Sequence, residues 1–460
     1  MDKYRSYVYL FIILSLLCVN AKIYALVIDV PADRPTIQLG IDAAKDGDTV
    51  LVADGIYRGE GNVNIDFKGK QIIVKSQNGA KATTVDCERK PDTRGFIFQN
   101  KETNDSVLDG FTIRNGVHEL GGGIYCNDAS PTIKNCVITE NRSVAPNLEG
   151  LGGGGIYCFN SDAVITACKI IDNSANSGHG GGVLFTFTGI ARKTKSQPSL
   201  INCTISKNDG DGVFCYDDVN PIIKDCTVSQ NNGRGIAFNR FARGNNPITN
   251  CLITQNRGSG IDCRYYSYMN ITDSIITRNR AEFGGGIYCD RSSIIEVSEC
   301  VIAQNVATKS GGGIYLDLKW GHAEITHCTI AHNTAKAEGG GVYAIIEFSF
   351  FNLSNSIVWG NNTNGDHAEF AGGGRRITIK SCNIRDGLEG IGHEPDGNWF
   401  TYINNIDADP LFVDADRGDY RLKENSPAAA MGAQSSSIRK ALSVTAVEKK
   451  LVKWGELKRR

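Results

Sequence analysis

A glycine-led strand recurs nine times between Gly121 and Ala344, and no other feature of the chain restricts its fold so strongly. The first copy is Gly121-Gly122-Gly123-Ile124-Tyr125-Cys126. It returns at Gly153–Cys158 and Gly284–Cys289 and, in drifted form, from Gly180, Gly210, Gly233, Gly258, Gly311 and Gly339. A second half-unit runs beside it, Asn135-Cys136-Val137-Ile138-Thr139-Glu140-Asn141, with later versions centred on Cys168, Cys203, Cys226, Cys251, Ser274, Cys300, Cys328 and Ser356. Successive copies stand about 23 to 35 residues apart, the spacing of a solenoid rather than of separate globular domains.

The periodicity inside one unit says which solenoid. In Ile-Tyr-Cys and Cys-x-Ile the apolar residues alternate, and no repeat sustains a helical stripe. Three short strands fit into such a unit, and stacked units place like strand beside like strand, which predicts an all-β parallel β-helix. Asn141, Asn173, Asn208, Asn231, Asn256, Asn279, Asn305, Asn333 and Asn361 each follow the Ile or Val of their repeat by three residues. Asparagine tolerates a sharp turn there and its amide can bond to the copies above and below.

The flanks differ from the repeats. Residues 1–25 have a charged start, an apolar run from Val8 to Val19 and a small residue at Ala21 or Ala25. That pattern predicts a secretory signal, since the run is too short to span a membrane. Cys18 lacks the small residues a lipoprotein cleavage site needs before it. Over 26–61 a short amphipathic helix with Ile37, Ile41 and Ala44 on one face is expected to cap the open end of the coil. The repeats occupy 62–384, an irregular loop and closing coil 385–432, and a basic tail 433–460. A net charge of −1 excludes nucleic acid as a general partner, and no transmembrane segment is expected after signal removal.

Fifteen cysteines in an exported chain would ordinarily imply disulfides. Here five (Cys126, Cys158, Cys215, Cys263, Cys289) share one repeat position and eight (Cys136, Cys168, Cys203, Cys226, Cys251, Cys300, Cys328, Cys382) share another. Other copies carry Ser274, Ser356, Leu184, Phe238, Leu316 or Ala344 instead. Such replacements suit a small buried packing column, so the thiols are read as reduced and inward.

The repeat, with Thr36-Ile37-Gln38, Ala43-Ala44, Gly47-Asp48-Thr49-Val50 and Asp54-Gly55-Ile56-Tyr57 before it and Asp409-Pro410-Leu411-Phe412, Gly418-Asp419-Tyr420-Arg421-Leu422 and Ser426-Pro427-Ala428 after it, resembles secreted bacterial right-handed parallel β-helix proteins of the pectate-lyase-like superfamily. Its rhythm is also similar to the repeats of polymorphic outer-membrane proteins, which are surface passengers and adhesins. The first resemblance implies a right-handed coil and a role on extracellular, often acidic, polysaccharides. As an enzyme the chain would be a polysaccharide lyase or glycoside hydrolase. The paired Gln and Asp motifs of pectin methylesterases are absent. The polygalacturonase motifs are matched only by Gly178-His179-Gly180 and Asp217-Asp218 in reversed order and, approximately, by Arg376-Ile377-Thr378, so Gly178-His179-Gly180 reads as a structural corner. His393-Glu394-Pro395-Asp396 reads as a solvated loop. No calcium-repeat motif or other cofactor signature is present, although outward carboxylates could take calcium.

A site on this scaffold belongs on the outside of a sheet, where side chains of successive coils align. The outward position after the inward cysteine reads Asn127, Phe159, Thr186, Tyr216, Asn239, Arg264, Asp290, Asp317 and Ile345. Its middle is dense in Tyr216, Asp217, Asn239, Arg240, Arg243, Asp262, Arg264, Tyr265 and Asp290. Arginines fork onto uronate carboxylates, tyrosines stack on sugar faces and carboxylates hold hydroxyls. The expected substrate-binding residues are therefore Tyr216, Asp217, Asn239, Arg240, Asp262, Arg264, Tyr265 and Asp290. The ladder of Tyr125, Tyr157, Tyr288, Tyr315 and Tyr343 reads as strand-face packing. The leading expectation is an exported or cell-surface protein that engages acidic polysaccharide along one face; the alternative is a non-catalytic structural or adhesive rod.

Overall fold

A computed structural model describes residues 25–144, 152–176, 178–187, 196–241, 244–374, 376–393, 400–436 and 438. The expected signal, Cys18, Arg243, Glu394–Asp396 and the basic run from Lys449 lie outside these residues.

One coil of the repeat is built from Ile124–Asn127, Thr132–Lys134 and Val137–Thr139, with a two-residue fourth strand at Arg142–Ser143. Stacking the coils gives a tyrosine sheet of 13 strands that includes Ile124–Asn127, a long sheet of 15 strands that includes Thr132–Lys134, and an isoleucine sheet of 13 strands that includes Val137–Thr139. Every pairing inside these three sheets is parallel and in register, as in Tyr125 on Tyr157 and Cys126 on Cys158. The chain is a parallel β-helix. The short fourth strands form two separate sheets, one of three strands over 117–175 and one of four over 280–363. Among the described residues, no fourth strand is present in the coils between them.

Alternation decides the interior. Ile124, Cys126, Ile133 and Ile138 are all fully or nearly fully buried, and each continues as a column through the neighbouring coils. The fourteen cysteines among the described residues are all buried and unpaired with one another. Those of the larger column sit at the corner between the long and isoleucine sheets, where the thiol donates to a backbone carbonyl, as Cys226 Sγ does to Lys224 O (3.2 Å). One assignment needs correction: the residue stacked between Cys158 and Cys215 is Phe185, and Leu184 stacks between Tyr157 and Phe214 on the outward column. Counting from Gly180 as the first corner glycine gives the same register.

The asparagine column runs unbroken. Each Nδ2 donates to Oδ1 of the next coil, from Asn141 to Asn173 (3.0 Å) through Asn333 to Asn361 (3.0 Å). Each Oδ1 also accepts the backbone N–H of the asparagine one coil earlier. The corners are thereby satisfied without water, as buried polar groups require.

At the amino-terminal end α1, Ile37–Ala43, is capped by Thr36, which accepts from Leu39 N, and it buries Ile37, Gly40 and Ile41 against the first coil. The opposite end closes differently from a simple last coil. Phe412–Asp414 and Asp419–Leu422 form an antiparallel hairpin that folds back along the outside of the isoleucine sheet. There Tyr420, Ala433 and Ile438 bury Ile275, Val301, Ala303 and Ala331, and Glu299 accepts the backbone N–H groups of Gln434 and Ser435. Apolar outward residues on those strands need this cover, so the chain after 432 begins as packed structure.

Candidate functional site

The glycine corners decide where the tyrosine sheet can carry chemistry. The middle corner position is Gly122, Gly154, Gly181, Gly285, Gly312 or Gly340 in most coils, but Asp211, Arg234 and Ser259 in three consecutive ones. A β-carbon on Gly122 would lie 2.5 Å from Arg142 O, and one on Gly312 would lie 2.5 Å from Thr334 O. Both obstacles are fourth strands. In the coils of Asp211, Arg234 and Ser259 the spacing between ladder asparagines falls to 23, 25 and 23 residues. The coils of Asp211 and Arg234 lack the fourth strand, so their middle position accepts a long side chain and the face opens; the coil of Ser259 regains one at Arg280–Ala281 and carries only a serine.

The opening is filled by charge. Arg234 lies between two buried carboxylates, donating from Nε to Asp211 Oδ1 (2.9 Å) and from Nη2 to Asp211 Oδ2 (2.7 Å), with Nη1 3.6 Å from Asp262 Oδ2. Arg264 grips Asp262 in the same forked way, Nε to Oδ1 at 2.7 Å and Nη2 to Oδ2 at 2.9 Å. Asp211 and Asp262 are 2% and 1% exposed, so they orient the guanidinium groups and are covered by them. Burial alone would raise the Asp211 carboxyl, but the charge of Arg234 and three hydrogen bonds hold it below its ordinary value. His179 Nδ1 stands 3.0 Å from Arg234 Nη2 and 3.3 Å from Asp211 Oδ2, and the imidazole tautomer decides whether it accepts from the guanidinium or donates to the carboxylate. The imidazole stacks on Phe214 (4.6 Å), and Arg264 lies over the Tyr288 ring (4.4 Å).

Tyr288 continues the row by donating its hydroxyl to Asp290 Oδ2 (3.0 Å). Burial raises the Asp290 carboxyl above its usual range, and its Oδ1 is a buried atom with no hydrogen-bond partner. A cavity of about 360 Å³ lies over this row, lined by Arg234, Ser259, Asp262, Arg264, Glu282 and Tyr288. A larger groove of about 800 Å³ runs beside Arg89, Glu140, Arg142 and Asp172, but Arg89 and Glu140 there form an exposed surface pair, a weak and solvated arrangement.

Of the eight residues expected from sequence, Asp262, Arg264 and Asp290 belong to this row. Tyr216, Asp217 and Arg240 form a second group at the corner leaving the tyrosine sheet, where Arg240 Nη1 donates to Tyr216 Oη (2.9 Å) and Nε stands 3.6 Å from Asp217 Oδ1. Tyr265 lies at the same corner one coil on, under the guanidinium of Arg291 (3.9 Å). Asn239 stacks between Tyr216 and Arg264 on the sheet face. Sequence reasoning passed over His179, Asp211, Arg234 and Tyr288. The signal for two of them was a charged residue at a corner otherwise closed to side chains, and His179 was set aside because glycines flank it.

A family model described as "Right handed beta helix region" matches residues 62–258 and 240–384. The chain belongs to the right-handed β-helix family. That bears out the right-handed β-helix expected from the repeat. No curated protein matches it in sequence. Solved structures that resemble it include the Siphovirus 9NA tailspike receptor binding domain, at 11% identity over 84% of this chain and 77% of that one, TM-score 0.43. The A-module of an Azotobacter vinelandii mannuronan C-5 epimerase is similar at 13% identity over 84% and 92%, TM-score 0.38. A surface adhesin of Streptococcus pneumoniae is similar at 11% identity over 83% and 91%, TM-score 0.36. No helix among the described residues is long and apolar enough to cross a membrane.

Proposed function

We propose that the protein engages an acidic polysaccharide along its tyrosine sheet, with Arg234 and Arg264 taking uronate carboxylates. One observation carries the reading: two guanidinium groups on adjacent coils are pre-aimed by buried Asp211 and Asp262 at the mouth of a cavity. Both forked contacts use Nε and Nη2; Arg264 thereby turns Nη1 to a ligand, while Arg234, whose Nη1 stands 3.6 Å from Asp262 Oδ2, adds positive charge behind it. Pre-orientation of this kind lowers the entropy lost on binding and suits a planar carboxylate. Coils spaced about 4.8 Å apart set successive donors at intervals that a glycan chain can follow. The amino-terminal pattern of residues 1–25 supports an extracytoplasmic setting.

Removing the proton beside a carboxylate requires a cation that neutralises the carboxylate and a base near it. Arg234 with His179 beside it meets that requirement in the tautomer whose Nδ1 donates to Asp211 Oδ2 (3.3 Å) and whose Nε2 carries the lone pair. The test is titration of the protein with alginate and polygalacturonate at low and moderate salt, with absorbance of unsaturated products followed in the same samples. Salt-sensitive binding that Arg264→Ala weakens is the expected result; no binding and no product from either polymer overturns the proposal.

A further inference from the structure

The corner that leaves the tyrosine sheet carries exposed aromatic rings that the charged row does not use. Trp320 and Phe348 are 65% and 61% exposed and stack on each other at 4.7 Å with planes 16° apart. Phe241 and Tyr266, 37% and 48% exposed, stack at 5.6 Å and 11°. The backbone register places both pairs on one line. Ile294 pairs with Tyr268 on one side and His322 on the other, so Ser292 is the residue between Tyr266 and Trp320. The line therefore reads Phe241, Tyr266, Ser292, Trp320, Phe348, an aromatic ladder with one ring missing.

The missing ring defines a slot. Tyr266 and Trp320 stand two coils apart, about 10 Å, and only a serine side chain occupies the coil between. Within each pair the rings cover one face of each other, and the second faces of Tyr266 and Trp320 are turned along the line toward Ser292. Exposed stacked aromatics are costly on a soluble surface unless something covers them. The slot is continuous with the charged row, because Tyr288, Asp290, Arg291 and Ser292 follow one another along a single coil. Arg291, over Tyr265, and Lys319, 3.7 Å from Glu347, flank it and leave its rim net positive by one charge.

We infer that the slot between Tyr266 and Trp320, floored by Ser292, holds a pyranose ring of the same acidic glycan whose neighbouring uronate lies over Arg234 and Arg264. This rests on the reading given under Proposed function. The apolar faces of the sugar ring stack on the two aromatics, and Arg291 is placed for that ring's carboxylate.

The experiment uses the full chain and oligouronides of graded length prepared from alginate and from polygalacturonate, with affinity measured by calorimetry. Trp320→Ala removes one wall, and Ser292→Phe fills the slot with a ring that completes the ladder. Both positions are on the surface, and circular dichroism confirms the fold of each variant. Wild-type affinity should rise with length, and both substitutions should cost about tenfold on long oligomers and nothing on the shortest. Equal affinity of wild type and both variants at every length, with Arg264→Ala still weakened, overturns the slot and leaves the charged site standing. Absence of wild-type binding at any length overturns both. Loss of concentration-dependent self-association in Trp320→Ala, with glycan affinity unchanged, assigns the rings to contacts between copies and likewise overturns the slot.

Discussion

Asn361 Nδ2 donates to Glu369 Oε2 over 2.6 Å, and that bond ends the asparagine column on a carboxyl group that is 1% exposed. Glu369 also accepts from Asn361 N (3.2 Å), so it takes the place a tenth asparagine would have. Burial, only partly offset by these hydrogen bonds, pushes its pKa up from 4.5 to about 7.

A pH-dependent stability follows. Because the folded value exceeds the unfolded one, the contribution is fully present below about 4.5 and is lost as pH rises through about 7. The protein should lose roughly 3 kcal/mol over that window from this group. Glu369→Gln keeps an acceptor for Asn361 without a charge. Urea titrations from pH 4.5 to 8 should show the slope in wild type and its absence in the variant.

The middle of the column should be less forgiving than its end. Asn256 donates to Val228 O and Asn279 Oδ1 and accepts from Asn231 N and Nδ2. Asn256→Ala strands several buried polar groups at once, at a cost of about 3 kcal/mol. Chemical denaturation should report a lower midpoint, with the slope unchanged if the coils still unfold together.

Thiol chemistry tests the inward columns. Burial raises the Cys87 and Cys382 thiols to about 12, and all fourteen described cysteines are buried and free. Native protein should resist alkylation, and protein denatured without reductant should take up reagent at about that many sites by mass spectrometry. Few labelled sites would mean that the columns are bridged.

Arg234 and Arg264 should separate stability from binding. Arg234 is 16% exposed at its side chain, and Arg234→Ala leaves Asp211 buried without its cation, a loss of about 3 kcal/mol near neutral pH. The Asp211 value is depressed in the fold, so this pairing stabilises above about 3.8 and fades as pH falls below it. The wild-type advantage should therefore narrow at pH 3. Arg264, 36% exposed at its side chain, is partly screened by solvent, and Arg264→Ala leaves Asp262 with Arg234 Nη1 still 3.6 Å away, so it should cost about 2 kcal/mol in stability, less than Arg234→Ala, while weakening glycan binding about tenfold.

How far the sequence could be read depended on whether a residue belonged to a column. Asn231, Cys226 and Ile236 recur at fixed offsets, so strand, corner and inward direction were legible for them. Arg264 and Asp290 were reachable because they share one outward column. His179, Asp211 and Arg234 come together across three coils of unequal length, and their meeting depends on a fourth strand that is missing from two of the joints. That absence is a matter of coil length, visible as the short 23- and 25-residue spacings, whose steric meaning appears only when a β-carbon is placed against Arg142 or Thr334. The hairpin around Tyr420 was hidden for another reason: its partners, Ile275 and Val301, lie more than a hundred residues earlier and signal their need for cover only by being apolar on an outward face.

The nine asparagine amides all point the same way. Their dipoles add along the axis of the coil, so the column has a positive end, and Glu369 sits at that end as a counter-charge would at the start of a helix. The rod is thus electrically polar as well as long, and a coil inserted or deleted as a whole would extend or shorten that polarity without reversing it.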